Sequence, residues 1–374
     1  MNVDRDVQAR LDELYDRLQL AIATFIGYPV NAAFDTQAIE RFLKLPMNNI
    51  GDPFVPSHIQ IQSHDFEREV LATFAEWTHA AKDGVWGYVT SGGTEGNLYG
   101  LFLARELYPD GLVYYSEDTH YSVSKILRLL HIRNIQIKSE ADGRIDLEDL
   151  RETIRIHRDV PPIVFANIGT TMKGAVDDLD GIHAIFRDMA LHRHYIHSDA
   201  ALSGMILPFV DDPQPWDFGA NVDSIAVSGH KMVGSPIPCG VVLARREHVD
   251  RIARSIEYVG TLDTTIPGSR SGHTPLILWY SLRTKGREGY RRMIDRGLQL
   301  ADYAIEQLRR IGLRPWRNPN SLTVVFERPV PVVVSKWQLA VQGDIAHVIT
   351  MPHVTEAMID ALARDLAESM DTQS

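Results

Sequence analysis

Residues 224–231 read SIAVSGHK, a strand-like apolar run that turns polar shortly before it reaches Lys231. Upstream, residues 195–199 read YIHSD, a second strand-like run that ends at Asp199. In an open parallel sheet, ligands bind at the edge where the carboxyl ends of the strands meet. The two runs therefore predict a parallel sheet that presents Lys231 and Asp199 at one edge.

A third feature of the sequence that indicates function is the glycine-rich stretch SGGTEGN at residues 91–97. A lysine can form a Schiff base with the aldehyde of pyridoxal 5′-phosphate (PLP), and a carboxylate can pair with the pyridinium nitrogen. Backbone N–H groups at the start of a helix can bind the phosphate. Because Lys231, Asp199 and the glycine-rich stretch supply these three groups, the sequence predicts a PLP site.

Each of the three parts has an ordinary alternative when it is taken alone. A lysine after Gly-His is commonly a solvated surface charge, and an aspartate that follows a strand is commonly a turn or cap residue. The glycine-rich stretch fits neither the Walker pattern nor the dinucleotide-binding pattern. The order of the three parts and their position beside strand ends favour the cofactor site.

Composition and charge disfavour several other classes of protein. The 374 residues are 44% hydrophobic and 23% charged, which is typical of a globular, two-lobed enzyme subunit. A formal net charge of −11 disfavours nucleic acid and membrane as partners, and no apolar run approaches the ~20 residues of a membrane span. The single cysteine, Cys239, and the absence of a secretion-signal pattern predict a cytoplasmic protein. The histidines lack metal-ligand spacing, so no metal site is predicted.

Three regions are predicted along the chain. Residues 1–60 contain an amphipathic helix and an extended arm rich in turn formers, and residues 61–255 alternate strand and helix patterns, as a large, mainly parallel α/β domain does. Residues 256–374 contain a loop, a long helix broken near Gly286 and a small C-terminal α/β domain. The predicted elements include helices at 3–23, 97–107 and 275–311 and strands at 85–90, 112–116 and 163–167.

Many runs of the sequence resemble the group II PLP-dependent amino-acid decarboxylases, in the branch of bacterial histidine decarboxylases and plant-type serine decarboxylases. They extend over almost the whole chain in one order and include WGY at 86–88, GTEGN at 93–97, HYSV at 120–123, NIGTT at 167–171, SGHK at 228–231 and PIPCG at 236–240. The resemblance implies PLP fold type I, which is aspartate-aminotransferase-like. It also implies a homodimer with shared active sites, in which residues 1–60 pack on the partner subunit.

The resemblance implies a role for each matching residue. Lys231 is the Schiff-base lysine, Asp199 the pyridinium partner and His120 the residue stacked on the pyridine face. The remaining cofactor-binding residues are Gly92, Gly93, Thr94, Thr171, Ser228 and His230, with Gly268 and Ser269 approaching from the partner subunit. The alternative for His120 is a solvated residue at a helix start, and His230 and Ser269 could instead only shape turns.

The implied reaction is α-decarboxylation, which requires the enzyme to hold the bond from Cα to the carboxylate perpendicular to the cofactor plane and then to protonate Cα. Many group II decarboxylases carry a tyrosine on a mobile loop as the proton donor. Residues 259–266, VGTLDTTI, contain no tyrosine, and Tyr258 only precedes them. This leaves His230 as the candidate acid, and it leaves an aldehyde-forming oxidative deamination open as an alternative outcome.

The predicted substrate depends on which part of the chain lines the pocket. The runs NNIGDPF at 48–54 and WQLA at 337–340 resemble the serine decarboxylases, whereas SGMILPFVDD at 203–212 resembles the histidine enzymes. Because the arm and the small domain are expected to line the pocket, L-serine, which yields ethanolamine, is preferred over L-histidine, which yields histamine. The expected substrate-binding residues are Tyr28, Asp52, Phe54 and His347.

Other functions are compatible with the same fold. An aminotransferase would need an arginine clamp for the substrate carboxylate, and Arg270 is the only arginine in a family motif. A desulfurase would need Cys239 as its nucleophile, but this residue lies in a tight Pro-Cys-Gly segment. A PLP-fold binding protein without turnover is disfavoured because Lys231, Asp199 and His120 are all present.

Overall fold

The computed structural model describes residues 5–56, 58–252, 255–256 and 261–371. The α-helices are α1 Arg5–Ile22, α2 His64–Trp77, α3 Gly93–Leu107, α4 Ser122–Leu129, α5 Leu147–Ile156, α6 Leu179–Asp188, α7 Arg246–Ile252, α8 His273–Arg310, α9 Pro331–Lys336 and α10 Glu356–Asp371. The strands are β1 Asn48–Ile50, β2 Val85–Thr90, β3 Leu112–Ser116, β4 Asn134–Ile137, β5 Pro162–Asn167, β6 Tyr195–Asp199, β7 Ser224–Ser228, β8 Gly240–Arg245, β9 Ser255–Ile256, β10 Thr261–Leu262, β11 Ser269–Ser271, β12 Thr323–Glu327, β13 Ala340–Gln342 and β14 Ile345–Ile349. Short 3₁₀ helices span Glu40–Lys44, Ser203–Met205, Leu207–Phe209 and Phe218–Ala220, and a π-helical turn spans Gly229–Val233.

A seven-stranded sheet forms the centre of the molecule, in the order β2-β8-β7-β6-β5-β3-β4. Strands β7, β6, β5, β3 and β4 pair in parallel, whereas β8 runs antiparallel to both of its neighbours. Every residue of β5, β6 and β7 is buried, because apolar clusters cover both faces of the sheet. The predicted α/β fold with a mainly parallel sheet is confirmed.

Helix α3 lies unusually close to this sheet because a row of glycines faces the strands. A Cβ at Gly93 would lie 2.6 Å from Oγ of Ser228, and one at Gly100 would lie 2.1 Å from Nδ1 of His197. Gly96, between them, would be 2.9 Å from a strand side chain. The helix starts at Gly93, four residues before the predicted start. Glycine disfavours helix in isolation, so this first turn is fixed by close packing that local propensity does not reveal.

The small C-terminal sheet is antiparallel and has the strand order β12-β14-β13. Helix α8 connects it to the rest of the molecule and is kinked at Gly286, which has φ 58° and ψ −179°, so the predicted break is confirmed. Before the kink, Leu278 packs against Gly229, and after it, Gly297 packs against Leu322. The domain boundaries at residues 60 and 255 stay predictions.

The predicted extended arm contains ordered structure. Strand β1 pairs antiparallel with β11, with Asn49 opposite Arg270, and a 3₁₀ helix precedes it. Helix α1 forms as predicted, but it has no buried residue within this chain. Among the described residues, no helix has the length and apolar character needed to cross a membrane.

Candidate active site

Strands β6 and β7 end side by side at the carboxyl edge of the sheet, and the π-helical turn after β7 carries Lys231. The Lys231 side chain is half-buried, and the described residues offer its amine no hydrogen bond or ion pair. Burial lowers the pKa of this amine, and the negative charge of Asp199 opposes that shift. The edge therefore holds an amine that is partly desolvated and free to react.

The Asp199 carboxylate is 9% exposed and is held at both oxygens. Its Oδ2 accepts a hydrogen bond from Nδ2 of Asn97 at 2.8 Å, and its Oδ1 accepts one from the N–H of Ala201 at 3.2 Å. Each carboxylate oxygen has further lone pairs. This carboxylate can therefore accept an additional donor, such as a protonated ring nitrogen, without losing its anchors.

His120 lies two residues before α4, and its ring is fixed by Ser122, the first residue of that helix. Nδ1 accepts the N–H of Ser122 at 3.3 Å and lies 2.8 Å from the Ser122 hydroxyl oxygen. Burial lowers the pKa of His120, and the charges of Asp199 and Lys231 act on it in opposite directions. The ring is therefore neutral at neutral pH and lies in the electrostatic field of both edge residues.

The start of α3 lies against the same edge. Gly92 is the N-cap residue with φ 158°, and the N–H groups of the first helical turn, at Gly93 and Thr94, have no partner inside the helix. The Gly93 backbone packs on Ser228, and a Cβ at Gly92 would lie 4.0 Å from Cε1 of His230. This donor-rich helix terminus suits a phosphate.

These parts fit PLP by the chemistry of their groups. The unpartnered amine suits the aldehyde of PLP, and the anchored carboxylate suits its pyridinium nitrogen. The neutral aromatic ring suits the pyridine face, and the helix N-terminus suits the phosphate. The structure therefore gathers Lys231, Asp199, His120, Ser228 and His230 around the start of α3.

His230 is held in one tautomer by the chain that follows it. Its Nδ1 donates to the carbonyl oxygen of Cys239 at 2.9 Å, so Nε2 carries the lone pair. Burial lowers the pKa of His230, which makes the neutral ring the main form at neutral pH. Residues 257–260, and with them Tyr258 and the start of the loop without a tyrosine, lie outside the described residues.

Cys239 itself is a packing residue. Its side chain is fully buried, and burial raises the pKa of the thiol to about 12. A desulfurase needs a thiolate as nucleophile, which this environment disfavours.

Three further cofactor-binding candidates are placed less closely to Lys231. Thr171 is exposed on the turn after β5, the strand next to β6. Ser269 is exposed on the β1–β11 ribbon, where Nδ2 of Asn48 lies 3.2 Å from its Oγ, and the space around Gly268 is open. Within the described chain no hydrogen bond links these three residues to Lys231, so their roles stay predictions.

Two of the expected substrate-binding residues have their polar side-chain atoms hydrogen-bonded to other groups of the protein. Asp52 is buried and accepts from the indole N–H of Trp86 at 2.9 Å and from the N–H of Phe54 at 2.7 Å. His347 is buried, with each ring nitrogen 3.0 Å from a backbone carbonyl oxygen, those of Met172 and Gly27. These contacts stabilise the arm and the small sheet.

The other two expected substrate-binding residues are partly exposed. The Tyr28 ring stacks on Phe25 at 5.8 Å, and the guanidinium of Arg246 lies 5.4 Å from the ring centroid of Phe54. Among the described residues, neither ring contacts Lys231.

Arg270 is part of a buried group that we call the arm cluster, formed by Glu67, Arg270 and Asn49. The Arg270 guanidinium donates to Oε1 of Glu67 and to the Gly51 carbonyl oxygen, and Asn49 donates to Oε2 of Glu67 at 2.7 Å. Because Glu67 already neutralises it, Arg270 is not available as a substrate-carboxylate clamp.

Sequence reasoning missed three residues that support the site. Asn97 anchors Asp199, His197 contacts Asn97, and Nδ2 of Asn31 in the arm donates to the carbonyl oxygen of Met232 at 3.0 Å. His197 could have been found, because it lies two positions before Asp199 and so shares its face of the strand. Asn97 belongs to the glycine-rich stretch, whereas nothing in the sequence near Asn31 signals its role.

Comparisons with known proteins find similarity over most of the chain. Residues 62–327 match the model of the pyridoxal-dependent decarboxylase conserved domain. The chain is 48% identical over 358 residues to a histidine decarboxylase of Pseudomonas entomophila, covering 95% of this chain and 89% of that one. It is 49% identical over 344 residues to a histidine decarboxylase of Morganella morganii, covering 91% of each. Among solved structures, L-methionine decarboxylase from Streptomyces sp. 590 superposes with a TM-score of 0.90 at 27% identity, covering 98% of this chain and 95% of that one.

Proposed function

The chain belongs to the pyridoxal-dependent decarboxylases, and from that premise we propose that it decarboxylates L-histidine to histamine. Its cofactor is PLP, and it is a carboxy-lyase that acts on an amino acid. The observation that carries the site is the unpartnered Lys231 amine beside the anchored Asp199 carboxylate. The choice of histidine is supported by relatives named histidine decarboxylase at 48–49% identity over more than nine-tenths of this chain.

The relatives favour histidine over serine, the substrate preferred from the sequence. That preference assumed that the arm and the small domain line the pocket. In the structure, Asp52 and His347 form hydrogen bonds with neighbouring protein groups. The sequences of these segments therefore reflect packing within the protein and do not identify the substrate.

Bound PLP supplies an acceptor for the electron pair that remains on Cα when CO₂ departs. We assign the protein's own part as follows. The Asp199 carboxylate would hold the proton on the pyridine nitrogen, since an ionised partner strengthens such a hydrogen bond. The N–H groups at the start of α3 and the Ser228 hydroxyl would bind the phosphate, and the neutral His120 ring would stack on the cofactor.

We assign bond formation with the cofactor to Lys231 and proton transfer to His230. Burial lowers the pKa of Lys231, which raises the fraction of neutral amine that can bond to the aldehyde. In neutral His230, Nε2 carries the lone pair because Nδ1 donates to Cys239, so this atom could deliver a proton to Cα only after it has itself taken one up. Because burial lowers the pKa of this ring, an activity that depends on its protonated form decreases as pH rises.

We also propose that two copies of this chain assemble in the cytoplasm as a dimer with shared sites. Helix α1 exposes a stripe of apolar side chains at helical spacing, formed by Val7, Leu11, Leu14, Tyr15, Leu18 and Ile22. Such a stripe indicates a protein partner, and a second copy would cover it. Light scattering of Leu11→Glu/Leu18→Glu should give a monomer, and a dimer of unchanged stability would contradict the role of α1.

The test of the substrate is a parallel assay of the PLP-loaded protein with L-histidine, L-serine and L-methionine. Histamine should form, with at most traces of the amines from the other two substrates. Lys231→Ala serves as the blank, since any product it forms does not come from this site. Ethanolamine as the main product would overturn the histidine proposal, and an aldehyde in place of an amine would show the oxidative alternative.

A further inference from the structure

A chain of buried hydrogen bonds lies behind Asp199, on the side away from the carboxyl edge. Nδ2 of Asn97 donates to Asp199, and Oδ1 of Asn97 lies 2.9 Å from Nε2 of His197. Nδ1 of His197 lies 2.7 Å from Oγ of Ser224, which accepts the phenol of Tyr195 at 2.8 Å. All five residues are buried.

The direction of every hydrogen bond in this chain follows from its first member. A carboxylate can only accept, so Asn97 must point its NH₂ at Asp199 and its carbonyl at His197. Nε2 of His197 must therefore carry a hydrogen. Among the described residues no carboxylate contacts His197, and burial lowers its pKa to about 3, so the ring is neutral and Nδ1 must accept from Ser224. Ser224 then accepts from Tyr195.

The packing of α3 makes this chain possible. Because Gly100 has no side chain, the His197 ring fits directly beneath the helix, where any Cβ would lie 2.1 Å from Nδ1. Asn97 is on the same helix and reaches Asp199 and His197 at once. Helix α3 thus carries phosphate-binding groups at its first turn and the Asp199 anchor one turn later.

We propose that Asn97 and His197 are positioning residues for the cofactor: they hold the Asp199 carboxylate oriented toward the pyridine nitrogen. This inference rests on the proposed PLP site. A flipped Asn97 amide would aim a carbonyl oxygen at the carboxylate and its NH₂ at the Nε2–H of His197, so both hydrogen bonds of the amide would be lost together. The chain of hydrogen bonds therefore favours the Asn97 orientation that donates to Asp199.

The test is Asn97→Asp, which keeps the size of the side chain and replaces the donor with a second carboxylate. We expect the dissociation constant of PLP, measured by equilibrium dialysis, to rise about 10- to 100-fold, the range typical of partners that orient a ligand-binding group. The value of kcat for L-histidine should decrease at least as much, while KM stays within about twofold because the substrate is not contacted. The visible absorbance of bound PLP should acquire a changed pH dependence.

The matched control is Asn49→Asp, which makes the same change beside Glu67, another buried carboxylate. It should lower the melting temperature but leave the pH dependence of the PLP absorbance unchanged. If Asn97→Asp binds PLP and absorbs light as the wild type does, the inference is wrong. If both variants change the PLP absorbance alike, the effect is general destabilisation, and the inference is equally wrong.

Two more variants separate the remaining outcomes. Should Asn97→Asp fail to fold, Ser224→Ala decides, because it frees the second His197 tautomer and leaves Asn97 in place. A severalfold loss of kcat at an unchanged melting temperature would support the inference, and an unchanged kcat would overturn it. Asp199→Asn tests the underlying site: if it leaves PLP binding and absorbance unchanged, the proposed site is wrong, whereas an effect there without one in Asn97→Asp removes only the inference.

Discussion

The molecule contains two buried groups of charges that differ in how they are satisfied. In the arm cluster, Glu67 accepts from Arg270, from Asn49 and from the N–H of Val89, so the negative charge is fully engaged. At the carboxyl edge, Asp199 is anchored, but the described chain gives the Lys231 amine no partner. The Glu67 carboxylate has all its partners within the fold and stabilises it, while the Lys231 amine stays open to a ligand. Burial alone does not separate these roles; the presence or absence of partners does.

The sharpest way to test this difference is Lys231→Ala. Turnover should decrease by about 10³-fold or more, because the covalent link to PLP is lost. The PLP-free form should be at least as stable as the wild type, since an unpartnered, partly desolvated amine is removed. Activity assays and thermal melts of the PLP-free proteins measure both. A large loss of stability would show that this amine has a structural partner after all.

Asp199→Asn should have the next largest effect. The lysine link to PLP remains, but the neutral amide no longer holds the proton on the pyridine nitrogen, so kcat should decrease about 10²- to 10³-fold. Steady-state kinetics together with the PLP absorbance measure this. Normal kcat would remove the assigned role of Asp199.

The arm cluster should respond in the opposite way. Glu67→Gln leaves the Arg270 charge buried without a counter-charge, and breaking such a pair costs about 3–5 kcal/mol of unfolding free energy. In the fraction that remains folded, kcat per bound PLP should stay within about threefold. Urea unfolding and active-site titration measure the two quantities. If kcat decreases while stability holds, the arm cluster belongs to the reaction.

A smaller effect is expected from acid, through His197. The pKa of its ring is about 3 in the folded state and 6.5 as the ordinary value, so below pH 6.5 the unfolded chain binds a proton that the folded chain does not. Stability is therefore present above pH 6.5 and is lost as pH falls, by about 2 kcal/mol between pH 7 and pH 5.

Urea unfolding of the PLP-free protein at the two pH values measures this loss. His197→Asn should lose less stability over the interval, whereas His192→Gln, at an exposed position, should follow the wild type. Equal losses in all three proteins would show that His197 does not carry the effect.

Much of the fold could be predicted because its signals are local. Strands β6 and β7 have the predicted bounds, since each apolar run ends at a polar residue of the edge. The reversed direction of β8 and the early start of α3 were not predicted. Both depend on contacts between distant segments, which hydrophobic periodicity does not encode.

The candidate site, like the fold, could be predicted from the sequence only in part. Lys231, Asp199 and His120 could be chosen because each belongs to a short motif whose chemistry is readable. The substrate-binding choices Asp52 and His347 could not be judged from the sequence, because a polar residue that faces a pocket and one that anchors a loop look alike. Their partners, Trp86 and two backbone carbonyls, are known only from the fold.

The contact of Asn31 with the lysine turn has a consequence for the growing polypeptide. The two hydrogen-bonded residues, Asn31 and Met232, are 201 positions apart. The arm leaves the ribosome long before the turn exists, so this brace cannot form until most of the large sheet has been synthesised and collapsed. Contacts of such separation form slowly. The turn that carries the reactive amine thus gains this contact only after the chain has been synthesised through Met232, long after the arm itself has left the ribosome.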